Sequence, residues 1–157
     1  MGKSLELEIE RPLSPLEFEV GLLTPEKLLH YWRNIEVELD RVPHIWATYW
    51  TKDSLREGAL TGRFQVWEVG TKDSVRLIVF SQFISYPACN LLSVFLALGN
   101  SLDQCLPVLE AMLEKMAHDN NCQIGQVVGR PGWERKLKGF KRTAVVLTKE
   151  VPKFGVQ

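Results

Sequence analysis

Residues 122–151 read CQIGQVVGRPGWERKLKGFKRTAVVLTKEV, and this stretch decides the fold. Residues 123–128, with Ile124, Val127 and Val128, predict a strand. Gly129-Arg130-Pro131-Gly132 then punctuates the chain as a turn. Residues 133–138 predict one or two turns of helix, and Gly139-Phe140 breaks them. A second strand is expected over 143–151, where Val145, Val146, Leu147 and Val151 recur. Directly upstream lies the clearest helix. Leu102, Cys105, Leu106, Leu109, Met112, Leu113 and Met116 keep three- and four-residue spacing over four turns. Ser101 or Asn100 caps its start, Asp103 stands in its first turn, and Asp119-Asn120-Asn121 ends it. Pro107 falls in its second turn, where the lost hydrogen bond costs less than in mid-helix.

Further upstream the pattern alternates between the two element types. Residues 1–16 carry Leu5, Leu7 and Ile9 at alternate positions before Pro12 and Pro15, which suits an edge strand or an ordered arm. A short strand is expected at 18–20. Thr24-Pro25-Glu26 is a helix start, with a hydroxyl cap, proline at the first position and a carboxylate near the positive end. That helix runs to about residue 40, with Leu28, Leu29, Trp32, Ile35 and Leu39 on one face. A second short helix is expected at 54–60. Strands follow at 64–69 and 75–85 around a polar loop, and at 91–98, where the continuous apolar run suits a strand covered on both faces. The organisation expected is an arm (1–16), one domain (17–151) and a short tail (152–157).

The 157 residues are enough for one packed core, and 45% hydrophobic with 24% charged residues is a globular composition. Nineteen basic and nineteen acidic residues cancel, so no global field draws nucleic acid or a membrane surface. Three cysteines without CxxC or Cys/His spacing exclude a zinc-site pattern and fit a reducing interior. A cytoplasmic location is therefore expected. No metal is expected.

The order long helix, strand, short helix, Gly-aromatic, strand resembles the C-terminal half of the GCN5-related N-acetyltransferase (GNAT) fold, and the whole order matches that layout over about 17–151. The resemblance implies an α+β domain, a mixed, mostly antiparallel sheet with helices on both faces. Two short motifs, Gly62-Arg63-Phe64-Gln65-Val66-Trp67 and Gly129-Arg130-Pro131-Gly132-Trp133-Glu134-Arg135, are similar to GNAT-like proteins of tailed bacteriophages. That similarity implies a virion structural protein assembled in the host cytoplasm, with other proteins or further copies of the chain as partners, and no nucleic acid or membrane.

In active members of the family a Gln/Arg-x-x-Gly-x-Gly/Ala loop closes backbone N–H groups on the pyrophosphate of acetyl-CoA, beside a helix N-terminus. The corresponding residues here are Leu98-Gly99-Asn100-Ser101-Leu102-Asp103-Gln104, with one glycine, no base, and a carboxylate at Asp103. Gly99, Asn100, Ser101 and Leu102 are the candidate cofactor contacts if the chain is an enzyme, in which case the resemblance implies an acyl-CoA-dependent N-acetyltransferase. The tyrosine that serves many members as general acid falls near Arg135, and neither Trp133 nor Arg135 replaces a phenol. No cofactor is expected on this reading, and protein contact is the expected function.

Glu68 stands where some members hold a catalytic carboxylate; a surface glutamate in an alternating strand is the plainer reading. The run His44-Ile45-Trp46-Ala47-Thr48-Tyr49-Trp50 packs helices onto the sheet, anchors a partner or lines a pocket. Trp46, Tyr49, Trp50, Arg130, Trp133 and Arg135 are the candidate interface residues. His30, His44 and His118 have no acid or nucleophile at a fixed spacing.

Overall fold

The computed structural model describes residues 4–5, 18–99, 102–129 and 131–153. In chain order these form β1 (Ser4–Leu5), β2 (Glu19–Leu22), α1 (Pro25–Arg41), α2 (Pro43–Trp46), α3 (Lys52–Leu60), β3 (Gln65–Gly70) and β4 (Ser74–Ser85). Then come β5 (Asn90–Leu98), α4 (Leu102–Asp119), β6 (Ile124–Val127) and a 3₁₀ turn (Pro131–Arg135).

Local chemistry sets the helix ends. Thr24 Oγ1 accepts the Lys27 N–H at 3.2 Å, and Pro25 opens α1 with its fixed φ. Thr51 and Ser54 cap α3 reciprocally: Thr51 Oγ1 accepts the Ser54 N–H at 3.0 Å, and Ser54 Oγ accepts the Thr51 N–H at 2.8 Å. Pro107 stays inside α4, early enough that the helix continues to Asp119. The single turn of α2 was not expected; Trp46 holds it by donating its indole N–H to Leu39 O at 2.8 Å.

The sheet runs β2-β3-β4-β5-β6, with β1 added parallel to the start of β4. Neighbours are antiparallel as far as β5, and β6 lies parallel to β5. One face packs Leu28, Ile35, Leu39 and Leu55 of α1 and α3 against Ile78, Phe80, Leu96 and Leu98. The other packs Cys105, Leu109 and Leu113 of α4 against Leu77, Val79, Leu92 and Val94. The protein therefore has the expected α+β architecture, a mixed, mostly antiparallel sheet with helices on both faces. Burial of this kind is worth about 1.5–3 kcal/mol for each large apolar side chain.

The last expected strand is not formed. Residues 143–151 form no strand of this sheet; 141–153 take no regular secondary structure, and each of these side chains is exposed. A β-rich composition makes a strand only where another edge accepts its hydrogen bonds. Among the described residues, β6 ends the sheet and pairs with β5 alone. The short helix also differs. It starts at Pro131 and closes at Arg135 as a 3₁₀ turn.

Candidate functional site

The site is the gap at the carboxyl ends of β5 and β6. Their parallel pairing runs from Leu91↔Ile124 to Val94↔Val127, and the Val128 N–H to Val94 O bond of 2.9 Å closes it. Beyond that point β5 continues to Leu98 without β6. The strands part where β5 is bulged. On β4, Phe80 lies opposite Leu96 while Ser81 lies opposite Val94, which leaves Phe95 as the extra residue. The bulge sends Phe95 and Leu96 toward the same core, on the α1 and α3 face.

That face of the gap is lined with rings. Phe95 meets Trp50 at 5.3 Å, Phe64 at 5.1 Å and Phe80 at 6.2 Å between centroids, and Trp50 stands edge-on to Phe64 at 5.0 Å. Such tilted and edge-to-face pairs add attraction beyond the area they bury. Trp50 thus belongs to the packing beside the gap. Tyr49 is 68% exposed, while Trp46 is buried in the core.

At the mouth, Gly99 has φ +137°, a conformation that favours glycine. The direction of its missing side chain is filled by β4: a Cβ would lie 2.4 Å from Arg76 O. Leu102 opens α4, and Asn100 and Ser101 lie outside the described residues. Asp103, in the first turn of α4, accepts a hydrogen bond from Lys136 Nζ, just after the 3₁₀ turn. The ion pair ties the segment after β5 to the segment after β6. A carboxylate thus occupies the positive end of α4, where an anionic ligand gains most from the helix dipole.

The other wall is aromatic too. Trp133 is half-buried against Gly129, where a Cβ would lie 2.4 Å from its ring. Trp133 O also accepts from the Lys136 and Leu137 N–H groups, and Leu137 anchors the turn in the α4 core. Arg135 is exposed, and Arg130 lies outside the described residues. No hydroxyl of a tyrosine stands on this turn.

Glu68 is buried, not a surface glutamate. It lies in one cross-strand row with Ile78 and Leu98, and Lys27 Nζ at the start of α1 is 3.7 Å from its Oε1. Two strand spacings, about 10 Å, separate its backbone from the carboxyl end of β5. Among the described residues no group of three His, Cys, Asp or Glu side chains is placed to hold a metal, and no helix is long and apolar enough to cross a membrane.

An acetyl-CoA pyrophosphate does not fit the described residues. Gly99 spends its freedom on the backbone of β4 and not on an open cradle, and the Asp103 carboxylate, with Lys136 as its partner, already occupies the positive end of α4. The Asp103–Lys136 pair, the bulge at Phe95 and the Gly99–Arg76 contact all escaped the sequence reading. Asp103 was visible there as a misplaced charge; its partner, thirty-three residues away, carried no local signal.

No family model matches this sequence, and none of the curated proteins does. Solved structures match over most of the chain. An aminoglycoside acetyltransferase from an uncultured soil metagenomic sample, solved with sisomicin, superposes with a TM-score of 0.64 at 10% identity, over 88% of this chain and 98% of that one. A ribosomal-protein-alanine N-acetyltransferase from Brucella melitensis gives 0.57 at 12% identity, over 88% and 99%. A GNAT family acetyltransferase from Staphylococcus aureus gives 0.55 at 9%, over 86% and 99%. At such identities the likeness is one of architecture: the chain has the GNAT acetyltransferase fold. Nothing in these similarities points to tailed bacteriophages.

Proposed function

We propose that this chain is a GNAT-fold protein whose acyl-CoA cleft is closed by its own side chains, and that it works through contact with other proteins. The carrying observation is the Asp103–Lys136 pair across the mouth where a cofactor diphosphate would lie. The half-buried Trp133 and the Trp50–Phe64–Phe95 rings support it, since they occupy both walls with packing. Tyr49 and Arg135 offer exposed contact groups beside these walls. A structural part in a tailed-phage particle is one form such contact takes. It rests on the likeness of the motifs at 62–67 and 129–135, and the solved structures give it no support.

A second reading is an acetyl-CoA-dependent N-acyltransferase. The parting of β5 from β6 and the buried Glu68, in register with Leu98, favour it. Release of free thiol from acetyl-CoA, assayed with aminoglycoside, polyamine and peptide acceptors, separates the two. The first reading expects no release above the buffer rate. Turnover that Glu68→Gln abolishes would establish the second instead.

A further inference from the structure

The segment after Phe140 is built for a sheet it does not enter. Phe140 still packs beside the α4 core, and 141–153 then carry no regular secondary structure. Val145, Val146, Leu147 and Val151 are 66%, 79%, 90% and 80% exposed. Three of them are consecutive, the pattern of a strand covered on both faces and not of a solvated tail. A run of bare apolar side chains of this kind marks an interaction surface.

Among the described residues the same chain carries an edge without a partner. Among these residues β6 is the last strand of the sheet, and its first residue Ile124 and the adjoining Val128 are 45% and 55% exposed. An open edge of this sort is a template for pairing with another strand.

We infer that residues 143–151 add as a strand to β6 of a second copy of this chain, so that two copies exchange these segments reciprocally. A two-fold axis makes such a contact self-complementary: each copy supplies one strand and one edge, and both are satisfied at once. An unrelated partner that covers the β6 edge brings its own strand and leaves 143–151 bare. Nine extended residues span about 30 Å, enough to lie along a neighbouring edge. The added strand also braces β6, the outer wall of the cleft. The inference deepens the protein-contact reading, on which its biological meaning rests, by naming the partner.

Light scattering of the full chain tests it together with amide exchange. The expected result is a particle of twice 18.0 kDa at high micromolar concentration, with the amides of 143–151 protected. Alternate residues of a strand face its neighbour, so Val145→Pro or Val146→Pro removes one inter-copy hydrogen bond. At least one of these variants should weaken dimerisation by about tenfold or more, with loss of that protection. A wild-type monomer overturns the inference, whether 143–151 are protected on their own sheet or left in solvent. So does a dimer in which those amides exchange freely, or one that both proline variants leave intact. Binding of acetyl-CoA reports on the cleft and mass on the exchange, so failure of either claim is read separately.

Discussion

The missing side chain of Gly99 points at the carbonyl oxygen of Arg76: a Cβ there would lie 2.4 Å from that oxygen and 3.3 Å from Leu77 Cα. With φ at +137°, the position is closed to other residues twice over, by conformation and by the adjoining strand. The glycine that invited comparison with a phosphate loop thus has a structural duty, to let the end of β5 lie on β4.

Gly99→Ala should therefore destabilise the protein by about 2–4 kcal/mol, the sum of backbone strain and a clash with main chain. Gly62 makes the control. It also has positive φ, 79°, but nothing lies within 4 Å of its Cβ position. Gly62→Ala should cost only about 1 kcal/mol. Denaturant midpoints of the two variants check both values. A substitution at Gly99 reports on folding and cannot serve as a probe of ligand binding.

Thr51→Ala removes one half of the α3 capping box and leaves the Ser54 N–H without its acceptor. A loss of about 1 kcal/mol is expected. Because the two caps act as a unit, Thr51→Ala with Ser54→Ala should cost less than the two single changes added together. Chemical denaturation of the three variants decides.

Burial pushes the Cys105 thiol up from 9.0 to about 12, against a weaker opposing pull from Arg76. Unfolding frees the thiol to ionise near its ordinary value, so above pH 9 the unfolded chain holds fewer protons than the folded one. Stability from this group is full below pH 9 and is lost as pH rises toward 12, at a limiting slope of about 1.4 kcal/mol per pH unit. Cys105→Ala should lack this component. Comparing midpoints of the two proteins at pH 8 and at alkaline pH reads it directly, and a thiol reagent should label Cys89 before Cys105.

Much of the fold was legible because it is written locally. Thr24-Pro25 fixes the start of α1, and the seven apolar positions from Leu102 to Met116 define α4. The continuous run in β5 identified a strand covered on both faces, as Leu92 and Leu96 show by entering opposite cores. The parts that escaped depend on distant pairing. The bulge at Phe95 exists only relative to Phe80 and Ser81, and no pattern inside β5 announces it. The 143–151 run has strand composition, yet a strand exists only once it is hydrogen-bonded to an edge, and among the described residues no strand of this sheet pairs with it. For the site, Asp103 signalled the charge conflict, while the burial of Glu68 and its neighbour Lys27 needed the fold.

The most direct test of the closed cleft is a calorimetric titration of the 157-residue chain with acetyl-CoA, run beside Asp103→Asn. The account predicts no heat of binding for the wild type up to high micromolar cofactor, and a measurable gain when the carboxylate at the start of α4 is neutralised. Micromolar binding to the wild type, unchanged or weakened in Asp103→Asn, would contradict it.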